Sequence, residues 1–192
     1  MPRIVNHDER RQQVARVARE LILRSGIDKV TVREIAGRAG YSTAVVSHYF
    51  RDKKELMFLV FTDTQRSAEA RFRAAIDAGG TILKGLEALL PRDEESRDFW
   101  RVWFAFWSMT LVYDDFRREQ VVQARKTVDM IAELLTRAGV DAGDEEERLV
   151  QCQRLFAVVS GIAVQAIHDP RYWPLRRQRV ILQDELKSLG CL

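Results

Sequence analysis

The sequence predicts an all-α protein of about nine helices, with an N-terminal three-helix head and a larger helical C-terminal region. Three observations carry that prediction. Apolar residues recur at helical spacing along nearly the whole chain. Capping residues, glycines and prolines punctuate those periods at helix-sized intervals. No stretch reads as a strand, and neither an internal repeat nor a low-complexity linker interrupts the pattern. With 192 residues, 46% of them hydrophobic, the chain has ample material for a core, either in one large helical domain or in two smaller ones.

In helix 1, Val14, Val17, Ala18, Leu21 and Ile22 repeat at i, i+3, i+4, i+7 and i+8, and Gly26 closes it after Ser25. Two short helices follow at 32–39 and 43–49. Thr31 and Glu34 make the S/T-x-x-E capping pattern that starts the first, whose apolar side is Ile35, Ala36 and Ala39. Gly40 supplies the positive-φ turn, and Ser42 caps the second, with Val45, Val46 and Tyr49 or Phe50 inward. This spacing of buried positions around a turn glycine is that of a helix-turn-helix, with the motif at about residues 31–50. Asp52, with Glu55 three residues on, caps a long helix from Lys53 to about Ala78, broken by Gly79-Gly80. It is apolar on more than one side, so it packs against head and body alike and ties them together. Further helices are expected at about 82–90, ending at Pro91; from Asp93 to about Tyr113; at 116–138; at 145–168, ending at Asp169-Pro170; and at about 174–189. The head is placed at 8–68 and the body at 69–192.

Charge divides along the same line. Residues 1–55 hold 12 Lys and Arg against 7 Asp and Glu, a net of +5, while the rest of the chain nets −2. Basic charge concentrated on the helix-turn-helix segment is the footprint of a DNA-binding head. The N-terminus is charged at once, and no apolar run reaches bilayer length, so a soluble, cytoplasmic protein without a membrane partner is expected. Cys152 and Cys191 form no disulfide or zinc pattern, and His7, His48 and His168 are scattered away from any nucleophile or metal-ligand constellation. No enzyme activity, cofactor or metal is expected.

Together, GYSTAVVSHYFRDKKEL, the helix order and the length resemble the TetR family of bacterial transcription regulators. Within that family, STAVVSHYFRDK is most similar to the choline-responsive repressors of glycine-betaine synthesis. VWFAFW at 102–107 resembles a WLAFW run of those repressors, whereas SGIAVQAIHD at 160–169 lacks a Trp they carry there. The resemblance implies that the helix 43–49 enters the major groove. Ser42, Thr43, Ala44 and Ser47 would then face base edges or nearby phosphates, while His48 and Tyr49 would position the backbone. Lys53, at a helix N-terminus, would meet a phosphate, and Thr31 and Arg33 the opposite backbone. Arg3 is a candidate minor-groove arm.

Trp100, Trp103, Phe104 and Trp107 fall on one helical face, with Phe99, Val102, Phe106, Met109 and Tyr113 on the other. A pocket walled by Trp100, Trp103, Phe104, Trp107, Met109 and Tyr113 would suit a small apolar or cationic ligand, with Asp114 or Asp115 balancing a cation and Arg117 or Arg118 an anion. A rich aromatic core is the alternative. Family resemblance also implies a homodimer through the last two helices, for which Leu155, Val159, Ile162, Leu182 and Leu186 are the candidate contacts. The function expected is a homodimeric repressor released from a palindromic operator by a small molecule, the alternative being a DNA-binding protein controlled without a ligand or by a protein partner.

Overall fold

The computed structural model describes residues 7–140 and 143–191 and contains, among the described residues, nine α-helices and no strand. Arg3 lies outside the described residues. The head comprises α1 (His7–Ser25), α2 (Val32–Ala39) and α3 (Thr43–Tyr49), against which the first half of α4 (Lys53–Asp77) packs. At the start of α2 the Thr31 hydroxyl accepts the Glu34 N–H at 3.2 Å; the reciprocal half of the predicted capping box is not among the bonds formed. Gly40 sits at φ 76°, and the chain closes with the Tyr41 N–H donating to the Ala36 carbonyl at 2.9 Å. Asp52 caps α4 by accepting the Glu55 N–H at 2.8 Å.

The body follows as α5 (Ile82–Glu87), α6 (Glu94–Val112), α7 (Asp114–Arg137), α8 (Glu145–His168) and α9 (Leu175–Ser188). Two boundaries differ from the expectation. α5 ends at Glu87 rather than near residue 90, because Ala88, Leu89 and Leu90 tighten into i→i−3 bonds to Gly85, Leu86 and Glu87. Glu87 is itself buried and holds Arg179 of α9 through two 2.8 Å bonds. α7 begins at Asp114, two residues early: Tyr113 is extended at φ −110°, and Asp114 and Asp115 supply the negative charge that a helix N-terminus favours.

There are two apolar clusters, and the chain crosses between them three times, in α4, α6 and α7. The head cluster joins Val14, Leu21, Ile35, Val46 and Tyr49 to Leu56 and Phe61 of α4, but it also contains Val102 and Phe106 of α6 and Phe116 of α7, all three fully buried. The body cluster gathers Phe72 and Ile76 of α4 with Trp100, Ile131, Leu155 and Leu182. Removing each such side chain from water contributes about 1.5–3 kcal/mol.

The five residues expected at a dimer interface are core residues instead. Leu155, Val159, Ile162, Leu182 and Leu186 are at most 3% exposed within a single subunit, so a second copy would not reach them. α8 is apolar on two sides, and its inner side packs against α6, α7 and α9. The outer side leaves Leu149, Val150, Ala157 and Gly161 exposed. That double-sidedness makes α8, among the described residues, the one helix long and apolar enough by length and composition to cross a membrane, with a third of its apolar window buried in the fold. Reading for apolar runs misses it, because Gln151, Gln153, Arg154 and Gln165 break the run while its mean hydropathy stays at 1.3.

Candidate nucleic-acid interface and ligand cavity

On α3, Val46 and Tyr49 face the head core, which leaves Thr43, Ala44, Ser47 and His48 together on the exposed side, with Ser42 at the N-cap. A short helix is held here because Ser42 accepts the Val45 N–H at 3.3 Å while Val46 anchors the opposite face. Thr31 and Arg33 are exposed at the start of α2. Tyr49 is 8% exposed, so its ring is core, and its hydroxyl accepts from Arg10 at 3.4 Å. Lys53 turns back rather than outward, donating to the Ile27 carbonyl at 3.3 Å.

Side chains from α1 complete this face and were not among the expected contacts. His7 lies 6.2 Å from the His48 ring and 5.5 Å from the Tyr49 ring, and the Arg10 guanidinium sits 5.8 Å over Tyr41. Gln13 receives the Tyr41 hydroxyl at 2.7 Å. Arg11 packs 4.5 Å over Phe50, bonds the Tyr49 carbonyl and pairs with Glu55 at 3.1 Å, locking α1 to the start of α4. The Arg51 N–H and this Arg11 pair hold the Glu55 carboxyl below its ordinary value against the opposing effect of burial. The polar spacing of α1 carried a signal for these residues, but only their distance to α3 shows it.

The body contains a narrow cavity of about 60 Å³, bounded by α4, α6, α7, α8 and the turn after α5. Its apolar wall includes Phe72, Leu89, Phe99, Trp100, Trp103 and Phe156, and its polar wall Gln65, Glu69, Arg71, Gln120, Lys126 and Thr127. Trp100 and Trp103 line it, whereas Phe104, Trp107, Met109 and Tyr113 do not. The last turns of α6 outrun the helices beside it: Trp107 is 44% exposed and stacks on Phe104 at 5.7 Å, and Leu111 and Val112 are more exposed still. Met109 packs against the head cluster. Tyr113 lies under the Lys54 ammonium at 4.6 Å. Asp114 and Asp115 are also away from the cavity, paired with Arg117 at 2.7 Å and Lys54 at 3.0 Å. Burial opposes ionisation of Asp115, but the Lys54 bond and two backbone amides hold its carboxyl below the ordinary value.

At one end of the cavity a single amide joins three helices. Gln120 Oε1 on α7 accepts from Trp103 Nε1 on α6 at 2.9 Å and from Gln65 Nε2 on α4 at 3.0 Å. Indole nitrogen only donates, so the Gln120 oxygen must face it and the amide NH₂ must point elsewhere. Glu69 and Lys126 bridge α4 and α7 at 3.4 Å, and Arg71 ties α4 to α6 through Glu95 at 3.0 Å. α6 carries both sites: Trp103 lines the cavity, and Phe106, one turn on, is buried with Phe61 at 5.4 Å and Phe116 at 5.9 Å in the head cluster.

Among the described residues no group of three His, Cys, Asp or Glu side chains is placed to hold a metal ion. Cys152 and Cys191 are free and buried, and burial pushes both thiols up.

Comparison with known proteins agrees with this architecture. Residues 15–60 match the tetR family of bacterial regulatory proteins, and residues 81–190 match the C-terminal region of BetI-type transcriptional repressors. The HTH-type transcriptional regulator PksA of Bacillus subtilis is 29% identical over 203 residues, covering 95% of this chain and 91% of its own. The HTH-type transcriptional regulator BetI of Escherichia coli is 29% identical over 176 residues, covering 85% and 90%. A transcriptional regulator of Saccharomonospora viridis, solved in complex with choline, shares the fold with a TM-score of 0.77 at 22% identity, over 94% of this chain and 96% of that one. These relatives are transcriptional regulators and not enzymes. With its head and more than half of its length matched, this chain belongs to the TetR family of bacterial transcriptional regulators, DNA-binding proteins with a helix-turn-helix head, and carries a BetI-type C-terminal region.

Proposed function

We propose that the protein is a homodimeric repressor whose two α3 helices read a palindromic operator, and that it leaves the operator when a small molecule enters the body cavity. Acting on operators places it in the cytoplasm with the DNA. The observation that carries this reading is the continuity of α6, which lines the cavity with Trp103 and buries Val102 and Phe106 in the head cluster. Three residues span about 4.5 Å of helix, so widening the cavity at Trp103 displaces the packing under the head. At about 60 Å³ the cavity is small, and a metabolite seated against Trp103 bears directly on α6. A ligand favoured by the widened state shifts the population toward it, and operator and ligand weaken one another by the same factor.

The outer side of α8 supports a dimer, with a different set of contacts from that expected. Val150, Ala157 and Gly161 share one exposed face, and nothing lies within 4 Å of a Cβ built on Gly161, so another helix can approach closely. His168 at the end of that face lies 6.1 Å from Phe104, which continues the surface to the exposed Trp107. Two measurements test the reading. Selection of bound DNA from a random pool is expected to return an inverted repeat with half-sites about 34–36 Å apart, and an optimum without two-fold symmetry sinks the dimeric reading. Gly161→Arg is expected to give a monomer on sedimentation that keeps its helical circular-dichroism spectrum, with operator affinity strongly reduced.

A further inference from the structure

We propose that the cavity selects a flat, neutral or anionic molecule bearing a hydrogen-bond acceptor, and that it rejects quaternary ammonium cations. The inference rests on the reading that this cavity is the effector site, and three observations carry it. First, the charged side chains on its wall are Glu69, Arg71 and Lys126; Lys126 pairs with Glu69 at 3.4 Å and Arg71 with Glu95 at 3.0 Å, so no carboxylate is left free to balance a cation. Asp114 and Asp115, the carboxylates at the start of α7, are spent on Arg117 and Lys54 away from the cavity.

Second, unmatched polar groups on the wall favour an acceptor. Arg71 Nε is buried with no partner. Gln120 commits its oxygen to Trp103 and Gln65, and nothing among the described residues accepts from its NH₂. Against these two donors stands the free oxygen of Gln65, which a hydroxyl or amide on the same ligand would satisfy. A quaternary ammonium has no acceptor at its charged end and finds no unpaired carboxylate on the wall to balance it. Third, the rings on its wall are already partly engaged. Arg71 already covers Phe99 at 5.6 Å, and Trp100 and Trp103 meet edge-to-face at 5.4 Å, so the ring faces that would cage a trimethylammonium head are partly taken, while a planar group can still stack on what remains.

The test needs no DNA. Calorimetric titration of the full-length protein would compare choline with its uncharged carbon isostere 3,3-dimethyl-1-butanol, and phenyltrimethylammonium with trans-cinnamate. The isostere is expected to bind more tightly than choline, and cinnamate at least tenfold more tightly than phenyltrimethylammonium. Lys126→Gln, which frees Glu69, is expected to narrow or reverse the cinnamate preference. Arg71→Leu is expected to abolish it, and Arg71→Lys, which keeps the charge without Nε, to retain part of it should the leucine variant misfold. Tighter binding of either ammonium compound by the wild type overturns the proposal, as does silence from all four probes at ten millimolar. Whether a compound that binds also releases operator DNA is a separate measurement, so failure of the repressor reading would be seen independently.

Discussion

Replacing Gln120 by leucine removes the one amide that joins α4, α6 and α7 at the cavity. Two neutral hydrogen bonds of about 1 kcal/mol each are lost, and a donor left without an acceptor in the interior costs about 1–3 kcal/mol. Gln65 is 7% exposed, so its NH₂ is orphaned nearly in full, whereas Trp103 is half-buried and regains part of its loss from water. Added apolar burial by the leucine returns about 1 kcal/mol, leaving a net loss of about 2–3 kcal/mol. For a chain of this length that corresponds to a melting temperature lowered by about 4–12 °C. Thermal denaturation followed by circular dichroism, with no ligand present, measures it. Gln65→Leu alone should be costly as well, and the double variant should lose about 1–2 kcal/mol less than the sum, because the shared bond is removed only once. A Gln120→Leu protein that melts within about 1 °C of wild type, or a strictly additive cycle, would refute the three-helix clamp.

Two glycines of the helix-turn-helix should respond in opposite directions. Gly40→Ala forces alanine into φ 76° and should cost about 1–2 kcal/mol, whereas Gly37→Ala, in α2 with open space around its Cβ, should gain about 0.5–1 kcal/mol in the same melting assay. Arg33→Ala is expected to weaken binding to all DNA sequences alike and to lower the salt slope of log K by about one, as a phosphate contact would; sequence-dependent loss would contradict that role. The fourth prediction concerns acid. Glu55 is depressed in the folded state, so its contribution to stability is present above about pH 4.5, its ordinary value, and is lost as pH falls through the lower folded value. Glu55→Gln should therefore destabilise at neutral pH and converge on wild type in acid melts; a constant difference across that range would rule the linkage out.

Local chemistry made the head legible. Thr31, Ser42 and Asp52 cap the helices that follow them, and Gly40 takes the left-handed turn, because each acts on residues three or four away. The cavity was only half legible for the converse reason. Trp100, Trp103, Phe104 and Trp107 share a helical face, but whether that face is covered depends on where the neighbouring helices stop, and α6 extends past them. Gln65 and Gln120, 55 residues apart, carry no pattern of their own and meet only when α4 and α7 pack. Lys53 looks like a phosphate contact at a helix N-terminus until the Ile27 carbonyl is seen within its reach. The leucines of α8 and α9 repeat as a stripe whether the stripe faces a partner or the subunit's own centre, and here it faces the centre.

Because Val102, Phe106 and Phe116 are buried among head residues, the head is not a cassette. A fragment ending near residue 68 would leave Phe58 and Phe61 without the rings that cover them at 5.2–5.6 Å, and should be recovered as an aggregation-prone chain rather than a folded DNA-binding unit. Grafting this head onto another regulator's body would succeed only if the corner where α6 meets α7 travelled with it. Specificity for an operator and responsiveness to an effector must accordingly diversify together in proteins built this way, since the packing surface that separates the two duties is owned by both.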